Sequence, residues 1–356
     1  MHGGDIYRNN IQYDFSVNLN PLGTPKEVSR ALSEAVLLVN QYPDLKQEEL
    51  SKHMADLFQI EKEEIVFGNG ASELLMAFCH AFLPKKAMVL SPCFSGYEYA
   101  VKGASFDCQM VYHPLLEEDG FVLKEDILEH LTEEKPDVFF VTTPNNPTGV
   151  LVEKGLLKKI MEICEVQGTV VVLDECFLPL SGFEKEASFA YRKREYQHLI
   201  VLRAFTKTFA IPGARLGYAI CQKDMAKRIR THLPEWNISV FAQSAGLECL
   251  KHLDEIDDAV SLLKEERTYL TKELQRLGYG VFPSDANYIL FYSKDKELQD
   301  KLLQQKILIR DCRDFVGLEK GFYRVAVKDH GANEKLVSTL HQIGTVKRFG
   351  NPRQDE

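Results

Sequence analysis

Five segments of this chain hold residue types that can do chemistry on an amine. In the first, the apolar run Leu199-Ile200-Val201-Leu202 leads into Arg203-Ala204-Phe205-Thr206-Lys207, and Arg215 follows in Ile211-Pro212-Gly213-Ala214-Arg215-Leu216-Gly217-Tyr218. Most lysines are solvated surface charges. One placed directly behind a buried strand, flanked by Thr and Phe and followed by a glycine turn and an arginine, is badly placed for solubility alone. Imine chemistry needs such a lysine, with its basicity depressed beside a cation and an anion site. The second segment, Val171-Val172-Leu173-Asp174-Glu175, ends a strand too apolar to lie at an edge in a carboxylate. An aspartate there either caps the next helix or neutralises a buried cation. The third, Thr142-Thr143-Pro144-Asn145-Asn146-Pro147-Thr148-Gly149, is a rigid Asn-Pro turn delivered by the buried strand from Val138. The fourth, Gly68-Asn69-Gly70-Ala71-Ser72-Glu73, joins a strand to a helix, so its backbone N–H groups can face an anion. The fifth holds Arg324 inside the alternating stretch Phe322-Tyr323-Arg324-Val325-Ala326-Val327-Lys328, where a guanidinium is costly unless paired.

These residues need a framework, and hydrophobic periodicity supplies one. Short apolar runs at 65–67, 87–90, 138–141, 170–173, 199–202 and 216–220 alternate with longer amphipathic stretches. That rhythm predicts an α/β fold, a mostly parallel sheet covered on both faces, with ligands at the carboxyl ends of its strands. The polar segments fall at those ends. Past Pro234, Ile256, Val260, Leu263, Arg267, Leu270, Leu274 and Leu277 keep the spacing of one long amphipathic helix. The segments around Tyr288–Phe291 and Tyr323–Val327 then predict a small α+β domain. The expected division is a large domain over 45–235, with an N-terminal arm (1–44) and the small C-terminal domain (236–356). A chain of 356 residues, 45% hydrophobic, has the material for both. Its net charge of -9 without a Lys/Arg cluster argues against nucleic acid as a partner. The eight cysteines form no CxxC pair, which predicts a reducing, cytoplasmic setting and no structural metal. No apolar run reaches the length of about 18 residues that would suggest a membrane span.

Taken in order and spacing, these segments resemble the fold-type I pyridoxal-phosphate enzymes of the class I/II aminotransferase family over nearly the whole chain. The resemblance implies a seven-stranded sheet in the large domain and pyridoxal 5'-phosphate as cofactor. It implies that Lys207 carries the cofactor as a Schiff base and that Asp174 pairs with the pyridine nitrogen. Asn146 corresponds to the residue that reaches the phenolic oxygen and the substrate carboxylate. Ala71 and Ser72 with Thr206 and Arg215 correspond to the phosphate cradle, and Phe94, in Pro92-Cys93-Phe94-Ser95-Gly96-Tyr97, to the aromatic platform under the ring. Arg324 matches the clamp on the substrate α-carboxylate. Tyr42, in Gln41-Tyr42-Pro43-Asp44, matches a tyrosine that reaches the phosphate of the neighbouring subunit, which implies a homodimer.

Two positions depart from the usual pattern. Phe177 stands where a tyrosine commonly donates to the phenolic oxygen, so the imine should hold its proton more tightly, and Ala204 leaves the phosphate cradle one hydroxyl short. Within the family the flanking text looks most like threonine-phosphate decarboxylases of cobalamin synthesis, cousins of the histidinol-phosphate aminotransferases. That text is His2-Gly3-Gly4, the stretch from Asp14 to Gly23 that includes Asn20, Ala210-Ile211-Pro212-Gly213, and Ile307-Leu308-Ile309-Arg310-Asp311-Cys312. Both relatives take a phosphorylated substrate, so His2, Arg310, Arg313 and Lys328 are candidates for a distal anion site, and Asn20 for substrate binding. Decarboxylation of a small phosphorylated amino acid is the favoured expectation. Transamination of the histidinol-phosphate type is the alternative, and a cofactor sensor without turnover the remote one.

Overall fold

The computed structural model describes residues 3–349, the side chains of 192–194 and 345–349 excepted. Its centre is a seven-stranded sheet built from β1 (Ile65–Gly68), β2 (Lys86–Ser91), β3 (Gln109–Pro114), β4 (Val138–Thr142), β5 (Val170–Asp174), β6 (Leu199–Ala204) and β7 (Gly217–Ile220). The spatial order is β1-β7-β6-β5-β4-β2-β3, with β7 antiparallel to both neighbours and the remaining pairs parallel. The central strands β4, β5 and β6 are buried at every position because both faces are covered. Phe139, Val141, Val171 and Leu173 enter the core on one side. Their alternates Val138, Phe140, Val170 and Val172 enter the core on the other. The strand that the apolar runs do not reveal is β3, whose exposed Gln109 and Pro114 and part-exposed Met110 and Tyr112 mark the sheet edge.

The 22-residue helix Glu255–Arg276 buries Leu263, Leu270 and Leu274 against a four-stranded antiparallel sheet. That sheet runs β10-β11-β9-β8, from β8 (Gly280–Val281), β9 (Tyr288–Tyr292), β10 (Arg310–Asp311) and β11 (Phe322–Ala326). The N-terminal arm is tied to this body. Tyr13–Asp14 pairs in parallel with Ile307–Leu308, and the Phe15 carbonyl accepts the Ala326 N–H at 2.8 Å. The arm therefore runs across the mouth of the cleft between the two sheets, carrying Ser16, Val17 and Asn18 into it. No helix among the described residues is long and apolar enough to cross a membrane.

Candidate active site

Parallel register sets the floor of the cleft. β4 and β5 pair Thr142 directly with Asp174 at their carboxyl ends. One strand further, β6 ends at Ala204 and turns into the four-residue helix Phe205–Thr208, which holds Lys207. The carbonyl of Lys207 accepts the Asn20 N–H at 3.0 Å, so the arm braces the lysine turn. Behind the site, the buried Glu175 takes Arg203 Nε at 2.9 Å and Nη2 at 2.8 Å. Arg203 is also bonded to Ser188 and Glu184, so all three of its nitrogens are engaged. This buried pair fixes the residue next to Asp174. Removing one partner of such a pair costs about 3–5 kcal/mol.

A cavity of about 260 Å³ opens at these strand ends. Burial pushes the Lys207 ammonium down to about 8, and the positive charges of Arg324 and Arg215 act in the same direction. Asp174 is buried; its Oδ1 accepts the Cys176 N–H at 2.9 Å and its Oδ2 the Tyr97 hydroxyl at 2.7 Å. Burial raises the Asp174 carboxyl, while the donors from Cys176 and Tyr97 and the charge of Lys207 oppose that rise. Asn145 locks the Asn-Pro turn by donating to Pro92 O and Thr148 Oγ1, each at 3.0 Å, leaving Asn146 to face the cavity. Asn146 Oδ1 accepts from Arg324 Nη1, so its amide N–H groups are the ones left to donate. Arg324 also donates through Nη2 to Ser16 O at 3.0 Å and lies 5.2 Å from the Tyr288 ring centre. Among the described residues its Nε is buried without a partner, as is Oδ1 of Asn18.

Opposite the lysine, the helix Ala71–Phe82 presents its N-terminus to the cavity, with Ala71 and Ser72 in the lining. Arg215 stands over this end in a left-handed conformation (φ 59°), and its two bonds to the carbonyls of Pro212 and Asn69 are long, 3.5 and 3.4 Å. Two glycines make room. A Cβ at Gly70 would meet Arg215 Nη2 at 2.4 Å, and one at Gly217 would meet Ala71 N at 2.6 Å. Free N–H groups at a helix start, a guanidinium and Thr206 form an anion cradle. The donor set therefore fits a phosphorylated aromatic aldehyde: a cradle for its phosphate, a carboxylate for a protonated ring nitrogen and a weakly basic amine for its carbonyl carbon. Phe94 supplies an apolar wall between cradle and carboxylate, its ring edge-on to Tyr97 at 5.6 Å.

The remaining sequence candidates separate in space. Arg310 lines the cavity, buried, 5.1 Å from the Phe315 ring centre and bonded to Asp314 at 2.7 Å. Asn20 does not line it; its amide donates to Thr208 O at 2.8 Å, a bond that secures the lysine turn. Two residues earlier, Asn18 occupies the wall instead. Arg313 turns to Asp311 at 2.8 Å, and Lys328 lies beside Phe15, 5.7 Å from its ring centre; neither lines the cavity. Tyr42 is 80% exposed with its ring 4.7 Å from Trp236, away from the cavity of its own chain. His2 lies outside the described residues. Phe177 lies 5.9 Å from Lys207 Nζ, ring centre to nitrogen, and Ala204 lines the cavity with a methyl group. Tyr97, Cys176 and Asn18 were given no role by sequence reasoning. The signal for Tyr97 was faint, a tyrosine in the first turn of a helix beside the ring platform.

The fold and this constellation define the class. The family model for aminotransferase class I and II matches residues 10–340, and the chain belongs to that family of enzymes. It is 36% identical over 337 residues to the threonine-phosphate decarboxylase of Salmonella typhimurium, covering 93% of this chain and 91% of that protein. It is 31% identical to histidinol-phosphate aminotransferase 2 of Archaeoglobus fulgidus, covering 93% and 92%. Among solved structures, the histidinol-phosphate aminotransferase from Clostridium acetobutylicum superposes with a TM-score of 0.86 at 30% identity, covering 94% of this chain and 99% of that one.

Proposed function

We propose that the chain is a pyridoxal-phosphate enzyme that decarboxylates a small amino acid bearing a second anionic group, with O-phosphothreonine as the favoured substrate. The observation that carries this reading is the pairing of Arg310 with Arg324 across β10 and β11. Residues opposed in an antiparallel pair point to the same face, and both arginines line the 260 Å³ cavity. A substrate with two anions, a carboxylate on Arg324 and a phosphate on Arg310, matches that arrangement. Histidinol phosphate carries no carboxylate and needs room for an imidazole.

In this reading Ala71, Ser72, Thr206 and Arg215 would hold the cofactor phosphate, Asp174 its ring nitrogen and the Asn146 amide its phenolic oxygen. The bound cofactor supplies an electron sink for the pair released when a bond to the substrate Cα breaks. Arg324 and Asn146 would orient the substrate carboxylate and so select which bond to Cα is poised to break. Lys207 Nζ, brought down to about 8 by burial, would deliver the proton that Cα takes up as CO2 leaves. For Arg310 to take a phosphate, Asp314 must share or release its Nη2 group. Among the described residues Asn18 Oδ1 is buried and unpaired, an acceptor suited to the substrate's ammonium hydrogens.

The transaminase alternative keeps a specific basis in the Archaeoglobus fulgidus relative, so the test has two arms. Purified holoenzyme is mixed with O-phosphothreonine and assayed for CO2, and separately with histidinol phosphate plus 2-oxoglutarate and assayed for glutamate. CO2 release without glutamate formation is the expected result. Glutamate formation alone would replace the decarboxylase reading with the aminotransferase one.

A further inference from the structure

Asp174 is bonded more elaborately than an aspartate needs if its task is only to face a cation. Tyr97 Oη lies 2.7 Å from Asp174 Oδ2 and 2.6 Å from Thr142 Oγ1, and all three residues are buried. Proton inventory fixes the direction of this chain. An ionised carboxylate only accepts, so the single hydroxyl hydrogen of Tyr97 goes to Asp174. The contact with Thr142 is then made by the threonine's hydrogen, which leaves an ordered run from Thr142 to Tyr97 to Asp174. Sheet register builds it, because Thr142 and Asp174 are direct partners on β4 and β5 and Tyr97 bridges the pair from the helix Gly96–Ala104. The tyrosine ring is clamped between Phe140, stacked at 5.2 Å, and Phe94, edge-on at 5.6 Å.

We propose that Tyr97 is a positioning residue that, polarised by Thr142, keeps the proton of the Asp174–cofactor pair on the ring nitrogen instead of on the aspartate. This inference rests on the pyridoxal-phosphate reading above. The physics is a competition for one proton between two buried bases. Burial by itself favours the neutral pair, a carboxylic acid facing an unprotonated pyridine, because that state carries no separated charge. Each hydrogen bond donated to Asp174 lowers its proton affinity and tips the balance towards carboxylate and pyridinium. Besides Tyr97, the groups that face Asp174 are the Cys176 N–H and thiol and the ammonium of Lys207. The peptide N–H is a permanent donor, and Lys207 acts on the carboxylate through its charge and not through a hydrogen bond. Tyr97 is the donor that remains on Oδ2, and burial and the neighbouring carboxylate keep its own proton in place. Hydrogen bonds shared along a chain polarise one another, so the Thr142 hydroxyl strengthens the donor it feeds.

The test reads the ring nitrogen directly. Wild-type protein, Tyr97→Phe and Thr142→Val are loaded with cofactor carrying ¹⁵N in the ring, and the nitrogen chemical shift is measured. In wild type the shift should be that of a protonated pyridine. Tyr97→Phe, which keeps the ring packing, should move it towards the unprotonated value, and Thr142→Val should move it the same way by less. Turnover by Tyr97→Phe should fall by about tenfold with KM unchanged, the size of one hydrogen bond to a charged group expressed in the transition state. An unchanged ¹⁵N shift in Tyr97→Phe would overturn the proposal; if that variant fails to fold, an unchanged shift in Thr142→Val does the same. Wild-type protein that takes up no cofactor would instead remove the pyridoxal-phosphate reading, and this inference with it.

Discussion

At the scale of single residues, the site works by giving each group an environment its side chain would not choose. Lys207 is the clearest case. Burial disfavours its ammonium, and Arg324 and Arg215 add repulsion, so the folded protein brings it down to about 8 from an ordinary 10.5. A free amine is the nucleophile that captures an aldehyde, so the sign of the pH dependence follows. The rate constant for capture of pyridoxal phosphate by the apo-protein should rise about tenfold per pH unit at low pH and level off above about 8, whereas an exposed lysine would go on rising to about 10.4. Stopped-flow absorbance across pH 6–10 measures this, and a rate still climbing at the upper end would show that the lysine is not depressed. Much of this chemistry is legible in the sequence. Lys207, Asp174, Asn146 and Arg215 stand behind apolar strands or in rigid turns, and a polar group in such a setting has few structural uses. Asn18 was not legible, because Asn18 and Asn20 share one short motif and differ only in what lies opposite them. Asn20 meets the Thr208 carbonyl, while Asn18 forms part of the cavity wall with its Oδ1 buried. Nor did the residue types Arg310, Arg313 and Lys328 distinguish a cavity wall from a surface ion pair.

Elements position those residues through register and close approach. The strands of the large sheet could be read because both faces are covered, which leaves uninterrupted apolar runs; the edge strand β3 could not, since an edge needs only one apolar face. The long helix at Glu255–Arg276 could be read from its stripe of leucines. What periodicity does not carry is the spacing between elements. Gly217 shows how narrow that spacing is: a Cβ there would lie 2.6 Å from Ala71 N and 2.8 Å from the Gly70 carbonyl carbon, both backbone atoms that cannot swing away. Gly217→Ala should therefore push the N-terminus of the helix Ala71–Phe82 off β7. Overpacking of this kind costs about 1–3 kcal/mol, so thermal unfolding should shift down. Cofactor affinity should fall further than at a core overpacking site remote from the cradle, because the displaced N–H groups are the proposed phosphate ligands. Equilibrium dialysis against pyridoxal phosphate, set beside the melting curve, separates the two effects. A lower melting temperature with unchanged affinity would mean that the phosphate sits elsewhere.

The whole molecule leaves one face unexplained by its own fold. Leu37 is 80% exposed, Val39 68% and Tyr42 80%, and Trp236 packs a tilted ring against Tyr42 while 41% exposed itself. Contiguous apolar surface of this kind marks an interaction site. The proposed occupant is a second copy of the chain, arranged so that Tyr42 reaches the cradle of its partner, since it does not line its own cavity. A hybrid experiment decides the direction of reach. The Tyr42→Phe homodimer should bind the cofactor about tenfold more weakly, the loss of one hydrogen bond to a charged phosphate. Lys207→Ala should form no covalent adduct. In a mixed dimer of the two, the lysine that can react belongs to the Tyr42→Phe subunit, but the tyrosine at its cradle would come from the Lys207→Ala subunit and be intact. Absorbance titration of isolated hybrids should then show wild-type affinity at one site per dimer. If Tyr42 served its own subunit, the same hybrid would keep the weakened affinity of the Tyr42→Phe homodimer. If instead the Tyr42→Phe homodimer binds with wild-type affinity and Leu37→Glu leaves a monomer that binds equally well, the apolar face joins two copies without completing the site.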